Sequence, residues 1–152
     1  VTVRGRMARS DYKFWHRFRI RYSEIDGQGI LYNAHYLTFF DQGITEYLRA
    51  LPYAYKDETA RTGHDFHTVK TLVEYAKPVE FDEEIDVCVK AGRIGRSSIR
   101  FDFEMHGRDA EDFRASGEVV WVYTDQATHK TAPVPEDLLA LLTGLEGDAI
   151  KA

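Results

Sequence analysis

The chain is poor in the features that announce several large classes of protein. It has one cysteine in 152 residues, Cys88, so no intrachain disulfide can form, which fits a reducing compartment and makes the cytoplasm the expected location. No apolar run approaches the roughly 20 residues a membrane-spanning helix needs, so no membrane insertion is expected. Positive charge is in deficit: 20 Lys and Arg stand against 25 Asp and Glu, a formal charge of −5. Non-specific nucleic-acid binding depends on dense positive charge, so nucleic acid is not an expected partner. A Gly-x-Ser-x-Gly elbow is missing, and with it the usual signature of a serine hydrolase. No glycine-rich nucleotide-phosphate motif is found either. His64 and His67 have a spacing seen in metal sites, but no third or fourth ligand accompanies them, so no metal is expected.

What is present describes an ordinary globular chain, with 43% hydrophobic and 13% aromatic residues. Its length suits one core and not two. Repeats, low-complexity tracts and interdomain linkers are not seen. The first twelve residues carry Arg4, Arg6 and Arg9 without a following apolar stretch, which is not the pattern of a secretory signal. The expected division is a loose tail over 1–12, a single domain over 13–145 and a C-terminal tail over 146–152.

Hydrophobic periodicity orders the elements. Phe14, His16, Phe18, Ile20 and Tyr22 alternate with Arg17, Arg19 and Arg21, the period of a strand with one face on a core. The period then lengthens: Leu37, Phe40, Ile44, Leu48 and Leu51 recur at helical spacing, widened by Phe39 and Tyr47, until Pro52 stops the helix. So broad a stripe predicts a largely enclosed helix. A polar connection follows, then four alternating runs: Val69 to Tyr75, Ile85 to Ala91, Ile99 to Met105 and Val119 to Tyr123. Gly92–Gly95 and Gly107–Asp112 read as hairpin connections, and Pro135 opens a short last helix through Leu142. Strand, long helix, four antiparallel strands and short helix make an α+β layer arrangement. Cys88, between Val87 and Val89, reads as a buried, inert thiol.

The most informative segment runs from Asp26 to Tyr36, Asp-Gly-Gln-Gly-Ile-Leu-Tyr-Asn-Ala-His-Tyr. A carboxylate at the end of a strand, two glycines and a long helix place an acid beside helix-opening amides, where developing negative charge can be held. Asp26 can also be read as a plain turn or cap aspartate, Asn33 as an N-cap, and Gly27 and Gly29 as turn formers. Asp26, Gly29, Asn33 and Tyr36 at this spacing resemble the signature of the 4-hydroxybenzoyl-CoA thioesterase family. The likeness in element order extends it from Phe14 to Leu142.

That resemblance implies the hotdog fold, a long central helix wrapped by a curved five-stranded antiparallel sheet, and hydrolysis of an acyl-CoA thioester. Asp26 matches the family's nucleophile or general base, and backbone amides around Gly29 to Asn33 would hold the oxyanion. Asp41 and Glu46 on the helix compete with Asp26, because one subgroup uses a helix carboxylate. The family grips coenzyme A phosphates with a basic loop, to which Arg96, Ser97 and Lys130 correspond; Arg93 is included by proximity. Tyr32, Tyr36 and His67 are candidates to line the substrate site. Coenzyme A enters as part of the substrate, so no separate cofactor is implied. The family forms dimers and tetramers, and a homodimer or homotetramer is expected, with the flank of Phe39 and Tyr47 and an open sheet edge covered by a second copy. Two other readings stay open: a hotdog module that binds acyl thioesters without cleaving them, and a hydratase or dehydratase that would recruit His35.

Overall fold

The computed structural model describes residues 6–152. Five antiparallel strands form one sheet: β1 (Trp15–Arg19), β2 (His64–Tyr75), β3 (Glu84–Ile94), β4 (Ser98–Gly107) and β5 (Phe113–Asp125), in the order β1-β3-β4-β5-β2. The helix α1 (His35–Ala50) packs against one face, and α2 (Tyr55–Thr62) and α3 (Glu136–Glu146) complete the fold. Alternation decides the layering. Val87, Val89 and Ala91 of β3, Phe101, Phe103 and Met105 of β4, and Val119, Trp121 and Tyr123 of β5 turn into the core. There they meet Tyr36, Phe39, Phe40, Ile44, Tyr47 and Leu48 of α1. Each Val, Leu, Ile, Phe or Met side chain among them contributes about 1.5–3 kcal/mol on burial. The helix comes unusually close at Phe40, whose ring stacks on Phe103 with centroids 4.5 Å apart. Gly117 makes room for it, since a Cβ there would stand 2.5 Å from the Phe40 ring. No helix among the described residues is long and apolar enough to cross a membrane.

Several expectations need correction. The polar connection after Pro52 contains α2, whose amphipathic period is too weak to read from eight residues. β1 stops at Arg19, and Tyr22 begins a 3-10 turn with 81% of its surface exposed instead of continuing the core face. A register shift between Thr68 and Lys70 throws Val69 out of the alternation of β2, leaving it 60% exposed.

Neither expected tail is loose where it is described. Residues 1–5, including Arg4, lie outside the described residues. From Arg6 onward the segment straps the outer face of the sheet. The Arg9 guanidinium bonds buried Asp86, the Met7 amide donates to Glu104 at 2.7 Å, and Tyr12 is buried. At the other end Ile150 is buried and the Ala152 amide donates to the Ile94 carbonyl at 2.9 Å. Polar partners fixed by tertiary contact hold both segments, and a search for apolar period overlooks such partners.

Phe39 and Tyr47 also need no second copy to cover them. They are 3% and 0% exposed within one chain, Phe39 against Phe18 and Tyr47 against Phe14 and Phe101. The open surface lies instead at β2, an outermost strand of twelve residues that exposes Val69, Leu72 and Tyr75.

Candidate active site

The Asp26 segment is a tight hairpin set against the opening of α1. Ile25 bridges Leu31, and the Asp26 amide donates to the Ile30 carbonyl at 2.9 Å. The Gly29 amide closes the turn on the Asp26 carbonyl at 3.0 Å, with Gly29 at φ 79°. That is the geometry of a three-residue hairpin loop ending in a left-handed residue, a position that favours glycine. The Asp26 carboxylate is partly built into this turn: Oδ1 accepts the amides of Gln28 at 2.8 Å and Ile30 at 3.4 Å. Among the described residues Oδ2 accepts no hydrogen bond, and the side chain is half-buried at the hairpin tip. The structural and chemical readings of Asp26 are therefore both compatible with the geometry, one for each oxygen.

The amides expected to hold an oxyanion are mostly committed elsewhere. Gly29 donates to Asp26, Ile30 to the Asp26 carboxylate, Leu31 to the Val79 carbonyl at 2.7 Å and Tyr32 to the Glu24 carbonyl at 2.9 Å. The Gly29 amide is thus engaged in the turn. Asn33 is exposed and is not the cap of α1; Ala34 takes that place, with no side-chain cap bond. No side chain caps the first turn of α1, whose leading amide, that of His35, donates to the Tyr32 carbonyl at 2.9 Å, and the positive end of the helix dipole lies at this start.

Tyr36 lies just behind this opening, 4% exposed, with Tyr75 of β2 edge-on at 4.8 Å. Burial pushes its phenol up to about 12, with Tyr75 adding to the rise, Arg114 opposing it, and Asp26 and Glu83 contributing further. The Tyr75 hydroxyl donates to the Asn33 carbonyl at 3.0 Å and so ties β2 to the helix opening. Tyr32 is exposed and packs edge-on against His35. Sequence reasoning missed the supports of the hairpin: the Pro78–Glu83 loop, Tyr75 and buried Arg114. A charged residue in a strand gives no sign of being buried until its partners are known.

The basic candidates gather elsewhere. The Val134 amide donates to the Arg96 carbonyl at 2.8 Å, and Tyr123 donates to the Ser97 carbonyl at 2.7 Å. Lys130 closes the turn after β5 by accepting from the Asp125 amide at 2.9 Å. His67 lies in one cross-strand row with Val122 and Ser98, and Gln126 meets its Nε2 at 3.0 Å. Arg96, Ser97, Lys130 and His67 therefore share one end of the sheet, with exposed Arg93 near it at the end of β3. The Asp26 hairpin belongs to the other end, beside Tyr75, Glu83 and the start of β5. Those ends are separated by the length of β4, Ser98–Gly107, roughly 30 Å at about 3.3 Å per residue.

Between them, Asp41 opens onto a cavity of about 630 Å³ that it lines with Thr45, Leu48, Tyr53, Tyr55 and Trp121. The Tyr55 hydroxyl donates to Asp65, and burial foremost, then that bond, raises its pKa. Cys88 is buried on the outer side of the sheet, its thiol pushed up to about 12 by burial.

Comparison with known proteins agrees with this fold. The family model described as the thioesterase-like superfamily matches residues 20–142. A protein of Haemophilus influenzae named acyl-CoA thioesterase YbgC is 31% identical over 85 residues, 55% of this chain and 62% of that one. Among solved structures, a 1,4-dihydroxy-2-naphthoyl-CoA thioesterase from Synechocystis superposes with a TM-score of 0.81 at 14% identity, covering 88% of this chain and 97% of its own. A Staphylococcus aureus protein solved in complex with CoA superposes with a TM-score of 0.80 at 14% identity, over 91% of this chain and 85% of its own.

Proposed function

The chain belongs to the thioesterase-like superfamily, a family of hotdog-fold thioester hydrolases, and we propose that its substrate is an acyl-CoA and that Asp26 is the carboxylate that acts on it. The observation that carries this reading is the Asp26 hairpin: one carboxylate oxygen is fastened by backbone amides while the other stays open, beside a helix start without a side-chain cap. A fastened carboxylate has little orientational freedom to lose, and thioester cleavage asks for modest help because the thiolate leaves readily. Asp26 either attacks the acyl carbon, expelling the coenzyme A thiolate and leaving an anhydride for water to open, or takes a proton from the attacking water. The negative charge that develops on the carbonyl oxygen is received by the α1 helix dipole and by first-turn amides beyond that of His35, not by Gly29 to Tyr32, whose amides, like that of His35, are engaged.

Arg96, Ser97 and Lys130, with Arg93, suit the phosphates of coenzyme A, since guanidinium groups match phosphate geometry and serine adds a neutral donor. Within one chain they stand roughly 30 Å from Asp26 by the strand length above. A two-fold axis that pairs the exposed edge of β2 with the same edge of a second copy joins them antiparallel. Tyr75, and Asp26 near it, then sit beside the partner strand's opposite end, where the phosphate-binding group begins. Two to three strand spacings, about 10–15 Å, replace the length of the sheet. The proposed assembly is thus a homodimer, or a tetramer of such dimers, with each site drawn from two copies.

A second reading is favoured by one observation: Asp41, and not Asp26, lines the 630 Å³ cavity. A hydrolysis screen over short, long, branched and aromatic acyl-CoAs, with released thiol measured, identifies the acyl preference. Repeating it with Asp26→Asn and Asp41→Asn decides between the carboxylates. Near wild-type turnover in Asp26→Asn with loss in Asp41→Asn would reverse the assignment. Tight acyl-CoA binding with no hydrolysis of any substrate would leave a binding module.

A further inference from the structure

Arg114 is buried, 5% exposed, at the start of β5. The register of β4 and β5 slips there: Met105 pairs with Ala115 and His106 with Phe113, so Arg114 is the extra residue of a bulge. A bulge re-aims the side chain it carries. The Arg114 guanidinium is turned onto the Pro78–Glu83 loop and holds both of its ends. Nη1 and Nη2 fork onto the two Glu83 oxygens at 2.9 and 2.8 Å, and Nη1 also donates to the Pro78 carbonyl at 3.1 Å. Nε and Nη2 bind Asp112 Oδ2 at 3.2 and 2.7 Å.

From that loop the contacts lead directly to the candidate site. Glu83 Oε2 accepts the Glu80 amide at 2.7 Å. The Val79 carbonyl accepts the Leu31 amide at 2.7 Å, and Ile30 bridges Glu80. Ile30 and Leu31 are the return limb of the hairpin whose other limb carries Asp26. Among the described residues, Ile25 pairs with that return limb from within the hairpin and the Pro78–Glu83 loop braces it from outside. A lysine could not replace the fork, because a single ammonium cannot span two Glu83 oxygens, a carbonyl and Asp112 in one plane.

We propose that Arg114 is a positioning residue for the reaction, which fixes the Asp26 hairpin against the start of α1 through the Pro78–Glu83 loop. The proposal rests on the reading of Asp26 given above. A hairpin braced in this way presents its carboxylate in one orientation. Loosening the brace spreads that orientation without removing any group that touches the substrate.

The test combines kinetics with amide exchange on Arg114→Lys and Glu83→Gln. Glu83→Gln weakens the fork from the other side while Asp112 stays with the guanidinium, so it serves if Arg114→Lys fails to fold. In both variants the exchange of the Ile30 and Leu31 amides should quicken, with the exchange of the β3 and β4 core unchanged. Turnover should fall by about 10²-fold, the cost of a misplaced group, while KM stays within about two-fold because ground-state binding is untouched. Combined with Asp26→Asn, either change should cause no further loss, since the residues act as one unit. Wild-type exchange at Ile30 and Leu31 in folded variants, or losses that multiply with Asp26→Asn, overturn the positioning role alone. Wild-type turnover in Asp26→Asn itself overturns the reading of the site, and the proposal with it.

Discussion

At the scale of single residues, the proposed mechanism gives the two oxygens of Asp26 separate tasks, and a substitution can separate them. Asp26→Asn keeps an oxygen to accept the Gln28 and Ile30 amides, so the hairpin should persist while the open carboxylate oxygen is lost. Turnover is expected to fall by about 10²–10⁴-fold, the usual worth of a positioned acid or base, with acyl-CoA binding largely retained. Steady-state kinetics and equilibrium binding with a non-hydrolysable thioether check the two halves independently. The ion network behind the hairpin makes a pH-dependent contribution. The hydrogen bond from Arg114 holds the Asp112 carboxyl down to about 2, below the usual value of ~3.9. A carboxylate with a lowered folded-state pKa stabilises in full above its unfolded value and loses that contribution as pH falls through its folded value. Wild-type stability should accordingly decline between about pH 4 and pH 2 more steeply than that of Asp112→Asn. Denaturant melts across that range measure the difference, and parallel curves would show that the Arg114–Asp112 contact carries no linkage.

At the scale of elements, the loop between β3 and β4 is held by backbone bonds, the amide of Val134, just before α3, donating to Arg96 and that of Tyr123 in β5 donating to Ser97. The Arg96 and Lys130 side chains are exposed and Ser97 is half-buried, which leaves the proposed phosphate-binding surface open to solvent. Arg96→Ala or Lys130→Ala should raise KM for an acyl-CoA, each lost contact to a charged group being worth about 1.5–3 kcal/mol. The loss should be smaller for an acyl-pantetheine, which lacks the nucleotide phosphates. Equal losses on both substrates would remove these residues from that end of the coenzyme. The strap formed by residues 6–12 acts on the other face of the sheet. There burial raises the Asp86 carboxyl, but bonds from Arg17 and the Asp109 amide, with the charge of Arg9, bring it below its ordinary value.

For the molecule as a whole, the decisive fact is the separation of the two candidate groups along the sheet. One chain places Asp26 and the Arg96 loop at opposite ends, while the proposed pairing of the β2 edge would bring each to the other's counterpart. Light scattering at assay concentration should therefore show a dimer or tetramer. After subunit exchange, and at substrate well below the raised KM of Arg96→Ala, a mixture of Asp26→Asn and Arg96→Ala proteins should recover activity toward about a quarter of wild type. Half of a random mixture is heterodimer, and in it one of two sites is intact if the residues serve one site from different copies. An active monomer, or failure to complement when exchange is proven, would confine each site to a single chain.

Period and motif alone determined the long helix, the five strands and the Asp26 segment. Each is encoded by neighbours close in sequence: two-residue alternation for β3 to β5, the stripe from Phe40 to Leu48, and a left-handed glycine three residues after an aspartate. The resemblance built on Asp26, Gly29, Asn33 and Tyr36 was legible for the same reason. Only the tertiary structure decided what depends on distant partners. It showed that Phe39 and Tyr47 are covered by the chain itself, that the first described residues form a strap and not a tail, and that the amides of Gly29 to Tyr32 are already engaged. It also showed that Arg114 is buried against the loop that braces the hairpin, and that the phosphate-binding candidates stand at the opposite end of the sheet from Asp26 within one chain. Hydrogen-bond partners and burial of charge are properties of the packed molecule, set by residues tens of positions apart, and local sequence does not record them.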